Sequence, residues 1–437
     1  MNGATGARRR SAGDILATGF GTTVAMWTAG YLGRIPPAEA PSWFLGTVML
    51  VCVLAGGYVA GRFGPRGMLG GAWTGGVSAV LNLLILGSLL SGGAVNQLRP
   101  TAWIWLPGSV LAGACLGMAG AAFGARRRAS VSAAGRNWTG AFAVVAACAT
   151  LLLLVAGGLV TSEGAGLAVA DWPNSFGYSM FLYPLSRMTG GIYFEHAHRL
   201  LGSLVGLTTI VLAIHLHRQE ARKWLRRLSL VAVGAVAAQG LLGGLRVTGH
   251  LTLASDRAAM SPSLALAVVH GVLGQLFFGL MVAIAAFTST TWQSAVPARS
   301  TRSAGTDRGL AALLVALLSC QLVLGAIQRH FARGLLVHIT LAAVVLTLLI
   351  AVGVRQLAMG SQTVVLGRVG RALLALGTVQ VLLGVGALAA VMSREGELAT
   401  RTWDVAVRTA HQATGALLLG AAVLAAVWSH RLLRPTT

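Results

Sequence analysis

Apolar runs of about 20 residues, the length needed to cross roughly 30 Å of hydrocarbon, recur along the chain and dictate its fold class. Twelve are read from the sequence, over about 14–33, 43–61, 67–91, 103–124, 138–160, 193–214, 228–246, 262–288, 309–328, 334–354, 369–392 and 405–429. The expected fold is an all-α polytopic membrane protein with about twelve transmembrane helices. Composition agrees. Of the 437 residues, 55% are hydrophobic and 10% charged, whereas a soluble chain carries about 25% charged residues to clothe its surface. Soluble, fibrous and disordered classes are excluded together. The basic 1–13 stretch has no separate apolar region and cleavage site, so the first span is expected to be retained.

The net charge of +22, from 33 Lys and Arg against 11 Asp and Glu, must be tested against topology before it suggests a partner. With the N-terminus inside, most basic residues fall in the inner loops and termini, among them Arg8–Arg10, Arg62, Arg66, Arg126–Arg128, the Arg218–Arg227 cluster, Arg355, Arg368 and Arg371. That is the positive-inside pattern. Both termini are expected in the cytoplasm, membrane lipid is the expected partner, and nucleic acid is not needed. Cys52, Cys115, Cys148 and Cys320 lie within apolar runs without metal-ligand spacing, and are expected to be buried, inert thiols.

A polar, basic linker at about 125–137 divides the chain. Residues 1–137 form a four-span unit of unknown function, with no histidine and almost no intramembrane polar residue expected. All ten histidines follow it. His198 and His338 stand 140 residues apart, and His270 and His411 stand 141 apart. An internal duplication of two four-helix bundles, 138–300 and 301–437, gives this spacing.

Each of these four histidines lies a similar distance from the outer end of its span, and four residues on comes Gly202, Gly274, Ala342 or Gly415. A bulky side chain there would obstruct a flat macrocycle against the helix. Neutral imidazoles from facing helices can supply both axial ligands of a haem iron. A single intramembrane histidine more often serves as a helix–helix hydrogen-bonding group; four at repeated spacing favour ligation. Zinc is disfavoured because no cysteine or carboxylate completes a compact set.

Glu195 stands three residues before His198, on the same face, where the other three histidines have Ala267, Leu335 and Arg408. Beside a haem it could relay protons or stabilise a cationic intermediate; the alternative is an interfacial carboxylate facing water. Arg199, Arg246, Arg257, Arg333 and Arg408 lie at similar depth, and Arg199 and Arg408 are the candidate partners for haem propionates. The outer loop 161–192 could form a lid over His198 through Asp171 and Trp172, or be an interfacial loop anchored by Trp172. His215 and His217 are expected in a solvated inner loop, and His250 and His330 in outer loops. His430 ends the last span, and His196 faces away from His198.

The run Glu195-His196-Ala197-His198-Arg199 followed by Leu-Leu-Gly-Ser-Leu-Val-Gly, with Gly-Leu-Ala-Val-Ala-Asp171-Trp172-Pro173 upstream, resembles the haem A synthase family over about 138–434. His270, His338 and His411 stand where that family has its other ligating histidines. The resemblance implies oxidation of a haem O methyl group to the formyl group of haem A, by successive hydroxylation and loss of water, for cytochrome oxidase. It implies that His198 and His270 hold the substrate haem iron and His338 and His411 a permanent haem b, with Glu195 the catalytic carboxylate. It also implies a bacterial cytoplasmic (inner) membrane, haem sites near the outer face, an unidentified electron donor, and haem O synthase and oxidase assembly factors as partners.

Two departures stand out. Where some bacterial members carry a cysteine pair in the first outer loop, this chain has Val169 and Ser175, so a thiol role there is excluded. The N-terminal unit is also outside the family pattern. Two other functions remain open: a di-haem cytochrome b-like protein carrying electrons from a quinol, and a haem transporter or chaperone.

Overall fold

The computed structural model describes residues 12–434 except 38, 93, 128–135, 250–261, 295–301, 362 and 394–400, with the backbone only at 86–89. Arg8–Arg10, His250, Arg257 and most of the 125–137 linker lie outside the described residues. The N-terminal unit contains α1 (Gly13–Gly33), α2 (Ser42–Phe63), α3 (Gly67–Leu89) and α4 (Ala102–Arg126). Next come α5 (Trp138–Ser162), α6 (Gly190–Gln219), α7 (Lys223–Thr248), α8 (Leu264–Thr288) and the short α9 (Thr290–Ser294). The last helices are α10 (Ala304–Phe331), α11 (Leu335–Ala358), α12 (Val364–Met392) and α13 (Thr402–Leu432). Among the described residues, 11 helices are long and apolar enough to span a membrane. The protein is an all-α, multi-pass membrane protein.

The first expected span, α1, is helical over 21 residues but is not among those 11. Its threonines make it less apolar, and they explain its packing. Thr18 Oγ1 lies 2.6 Å from Thr74 Oγ1, Thr23 Oγ1 donates to Ser78 Oγ at 3.1 Å, and Trp27 Nε1 donates to Asn82 Oδ1 at 2.9 Å. The expectation of almost no intramembrane polar residue here is therefore corrected: a polar seam joins α1 to α3. Small hydroxyls can do this because they satisfy one another away from lipid. Glycine makes the closest contacts among α2, α3 and α4. At Gly57, Gly61, Gly75 and Gly117 an added Cβ would collide with the backbone of the facing helix, so α2, α3 and α4 approach at backbone contact.

Helices α5 to α8 pack in a closed ring, each against the next and α8 against α5; α10 to α13 repeat the arrangement. Within each ring alternate helices are diagonal, which sets α6 opposite α8 and α11 opposite α13. The rings meet through α5, α8, α10 and α13, and α1 packs against α5. Chain reversals have local causes. Asn137 caps α5 by accepting from Gly140 N at 2.9 Å, and Ser263 caps α8 through Leu266 N at 3.2 Å. Gly249 ends α7 at φ +75°, a left-handed conformation that glycine adopts without strain.

Helix α6 runs on for 30 residues to Gln219, past the expected end at 214, because backbone hydrogen bonding continues where apolar character stops. His215 is therefore not in a solvated loop. It is buried, and its Nε2 lies 2.9 Å from Thr139 Oγ1; His217 and His430 are exposed. The expectation of buried cysteines is also corrected: Cys115, Cys148 and Cys320 are exposed and Cys52 half-buried, all as free thiols. In a lipid-facing helix an apolar run marks the outside as readily as the core.

Candidate functional site

All four duplicated histidines lie in the first three turns of their helices, at one end of the two rings: His198 on α6, His270 on α8, His338 on α11 and His411 on α13. Each imidazole rests on a glycine of the preceding long helix. A Cβ at Gly157 of α5 would stand 3.0 Å from Cε1 of His198, and one at Gly243 of α7 would stand 3.4 Å from that of His270. The corresponding distances are 3.1 Å from Gly325 of α10 to His338 and 3.2 Å from Gly384 of α12 to His411. The unit of repetition is thus a helical hairpin, present four times, in which glycine makes room for the ring.

The pairs are diagonal. The rings of His198 and His270 are 6.4 Å apart between centroids, at 83° to one another; His338 and His411 stand on the corresponding diagonal helices, α11 and α13. Two imidazoles each about 2 Å from a shared metal ion place their ring centres roughly 6 Å apart. The donor set suits such ligation further. Nδ1 of His198 and of His411 is buried without a hydrogen-bond partner. Among the described residues no group of three or more His, Cys, Asp or Glu side chains forms a metal site. The residues fit two-histidine centres, and the Cβ-free positions fit a group lying against the helices. Gly202, expected to leave space, meets nothing within 4 Å of an added Cβ, whereas Gly274 and Gly415 face Gln239 and Gln380.

Glu195 is buried one turn before His198. Its Oε1 accepts from Arg199 Nε at 3.1 Å, while Oε2 is buried with no partner. An unpaired carboxylate oxygen away from water is costly, and such atoms cluster at functional sites.

The loop between α5 and α6 folds over this pair. Asp171, buried, accepts from Phe176 N at 2.7 Å and Gly177 N at 2.8 Å and closes a small hairpin, Asn174–Ser175 paired with Tyr178–Ser179. Arg199 fixes the loop from below: Nη1 donates to Asp171 O at 2.6 Å and Asn174 O at 3.0 Å, and Nη2 to Val169 O at 2.7 Å. Four of its five donors are thereby used, with one left on Nη2. Trp172 packs across the ring onto Gly244 of α7, beside the glycine that seats His270. In this loop burial pushes the Tyr183 hydroxyl above its usual pKa.

His196 was expected to be peripheral, yet it is fully buried. Its Nδ1 lies 3.0 Å from Ser175 Oγ and its ring 5.0 Å from that of Tyr183. It faces away from His198, as the two-residue offset requires, but the face it takes is covered by the hairpin. His330 closes α10 and is half-buried rather than in a loop. Arg408 pairs with Asp404, its Nη2 2.8 Å from Oδ2. It also pulls back the pKa of Glu163, which burial raises. Arg246 packs on Gly166. Among the described residues its side chain makes no hydrogen bond.

Fold and site define a multi-pass membrane protein with two diagonal histidine pairs, one beside a buried carboxylate and a folded-over loop. Residues 140–338 match the family described as cytochrome oxidase assembly protein. The heme A synthase of Alkalihalophilus pseudofirmus is 34% identical over 104 residues, 23% of this chain and 34% of the relative. That of Shouchella clausii is 33% identical over 102 residues, 23% of this chain and 33% of the relative. The matched part spans about a third of the length of these curated relatives. Over residues 140–338 this chain is similar to that family, and over about a hundred residues to these two heme A synthases.

Proposed function

We propose that this protein oxidises a methyl group of haem O to a formyl group, yielding haem A for a cytochrome oxidase. The observation that carries this is the unpaired, buried Oε2 of Glu195, one turn before His198, inside the segment shared with the family. His198 and His270 hold the iron of the substrate, haem O. With dioxygen as the oxidant, each hydroxylation would place one oxygen atom on the methyl carbon and release the other as water, using two electrons and two protons. Glu195 Oε2 would take up and return those protons, and loss of water from the doubly hydroxylated carbon would leave the formyl group. Asp171, Trp172 and Arg199 keep the hairpin over the pocket and exclude water. Arg246, whose side chain makes no hydrogen bond among the described residues, and the remaining N–H of Arg199 would pair with the propionates of the first haem, and Arg408 with those of the second.

His338 and His411 hold a permanent haem b. When bound there it supplies one-electron transfer from a donor in the membrane. Residues 1–137 accompany a substrate half, 138–300, and a haem b half, 301–437. In the bacterial cytoplasmic membrane, with both termini in the cytoplasm, the four histidines lie near the outer face. Haem O synthase and oxidase assembly factors are the partners that such a reaction needs before and after it.

Extracting and separating the haems of purified protein tests this. Glu195→Ala and Glu195→Gln are expected to lose haem A and accumulate haem O while haem B stays. Unchanged haem A in Glu195→Ala overturns the proposal. Haem B alone in the unaltered protein, from a host that makes haem A, favours a di-haem electron carrier.

A further inference from the structure

The end of the N-terminal unit remote from Asn96 carries more positive charge than its own residues balance. Among the described residues Arg62, Arg66, Arg126, Arg127 and Arg136 stand there with Asp14 as the one carboxylate, and Arg66 pairs with it. Helix contacts draw the others together. Gly124 of α4 lies against the backbone of Tyr58 and Arg62 on α2, which brings Arg126 and Arg127 to the end of α2. Arg136, just ahead of α5, reaches the same helix: its guanidinium carbon is 4.0 Å from the centre of the Phe63 ring. That of Arg62 is 5.1 Å from the same ring centre.

Two guanidinium groups on one ring are no further apart than the sum of these distances, a span close to the Debye length of about 8 Å at physiological salt. They repel one another, and among the described residues neither pairs with a carboxylate. Arg62 gives one N–H to Tyr58 Oη at 2.6 Å, a neutral partner. An anion would satisfy both cations, since guanidinium matches phosphate in a planar, two-pronged geometry. The aromatic faces beside these arginines, of Tyr58, Phe63, Phe123 and Trp138, stand at the ends of long apolar helices. That is the level of lipid headgroups.

A furrow runs between the same two helices. Helix α1 packs against both α2 and α5, with Gly21 against Val145 of α5 and Thr22 against Gly56 of α2. At 3.6 residues per turn Ala25 points between those two directions. It is exposed, and so is Leu32 two turns further on. The floor is therefore open and apolar, and it follows the helix axis as an acyl chain does. We propose that the ends of α2, α4 and α5 hold the phosphate of an anionic phospholipid, with an acyl chain in the furrow along α1, and that this lipid joins the N-terminal unit to the ring of the first histidine pair. Basic pockets between membrane helices take such headgroups. Nothing in this site depends on the oxidation chemistry.

Full-length protein, purified in a neutral detergent and given dioleoylphosphatidylglycerol or dioleoylphosphatidylcholine, is read by native mass spectrometry for retained lipid. Phosphatidylglycerol is expected to be held in preference to phosphatidylcholine. Arg62→Gln with Arg136→Gln is expected to weaken that retention by about thirtyfold, the effect of two lost cations at a headgroup. Ala25→Trp, which fills the furrow without altering charge, is expected to weaken it as well. Arg368→Gln with Arg371→Gln removes equal charge from exposed positions near the start of α12 and is expected to leave it unchanged. Arg136 is exposed, so Arg136→Gln alone serves should the double variant not fold, and must weaken retention in the same direction. Equal retention of the two lipids, equal loss in the α12 variant, or unchanged retention in the Arg136 variants overturns the proposal. Displacement of the lipid by inorganic phosphate, with no effect of Ala25→Trp, assigns the site to a free anion and overturns it too.

Discussion

The backbone amide of Ser179 donates to the side chain of Asn96 at 2.6 Å, and Asn96 Nδ2 in turn donates to Gly177 O at 3.4 Å. Asn96 lies in the loop between α3 and α4, Ser179 in the hairpin over the first histidine pair. The N-terminal helices therefore hold the cover of a pocket to which they contribute no ligand. A second tie has the same direction, since Tyr193 Oη of α6 donates to Tyr31 O of α1. Asn96→Ala is expected to cost about 1 kcal/mol locally and to hasten amide exchange over 171–180 by several-fold. Exchange across α10–α13 should stay unchanged. Protection of 171–180 equal to that of the unaltered protein would refute the tie.

The glycine seats make a sharper prediction. A methyl group at Gly325 would stand 3.1 Å from His338 Cε1, which forces the ring or the helix to move. Overpacking of this kind costs about 1–3 kcal/mol. Gly325→Ala should lower haem B content and leave the first pair's haem in place, and Gly157→Ala should do the reverse. The pyridine haemochrome spectrum of each variant, with separated haems, measures both.

The two histidine pairs should separate by substitution. His338→Ala or His411→Ala is expected to strip haem B from the protein. His198→Ala or His270→Ala is expected to abolish conversion of haem O while haem B remains. Loss of haem B from the first pair's variants, with retention in the second pair's, would reverse the assignment.

Acid should loosen the turn between α6 and α7 at a defined point. Glu220 accepts from Arg222 Nε at 2.8 Å, Nη2 at 2.7 Å and the backbone N at 2.9 Å. The Arg222 side chain, before any other cause, holds this carboxyl below its usual pKa. A depressed carboxylate adds stability that is full above its unfolded pKa and disappears as pH falls through the folded value. Amide exchange at 219–223 should therefore rise on acidification through that window in the unaltered protein, and be high and flat with pH in Glu220→Gln.

Much of this architecture was legible in the sequence because apolar length is a direct consequence of bilayer thickness. The long helices lie where hydropathy put them, and the spacing of His198, His270, His338 and His411 carried the duplication. What escaped was set by contact across helices. The glycine seats Gly157, Gly243, Gly325 and Gly384 precede their histidines by 41, 27, 13 and 27 residues, so no single offset exposed all four. A Gln-x-x-Leu-Gly run ending at Gly243, Gly325 and Gly384, and absent before Gly157, was the readable trace. His196 and His215 were misjudged because helix ends continue beyond the apolar stretch and loops fold back over them. The cysteines were misjudged because burial and apolarity part company in a membrane.

The cover over the first pair is fastened by Asp171, Arg199 and His196, and residues 161–192 contain no cysteine. Carboxylate, guanidinium and imidazole contacts need no oxidant to close them. The closure is therefore independent of thiol chemistry outside the membrane: reductants that open a disulfide-held loop leave this one shut, and no helper enzyme is required to rejoin it.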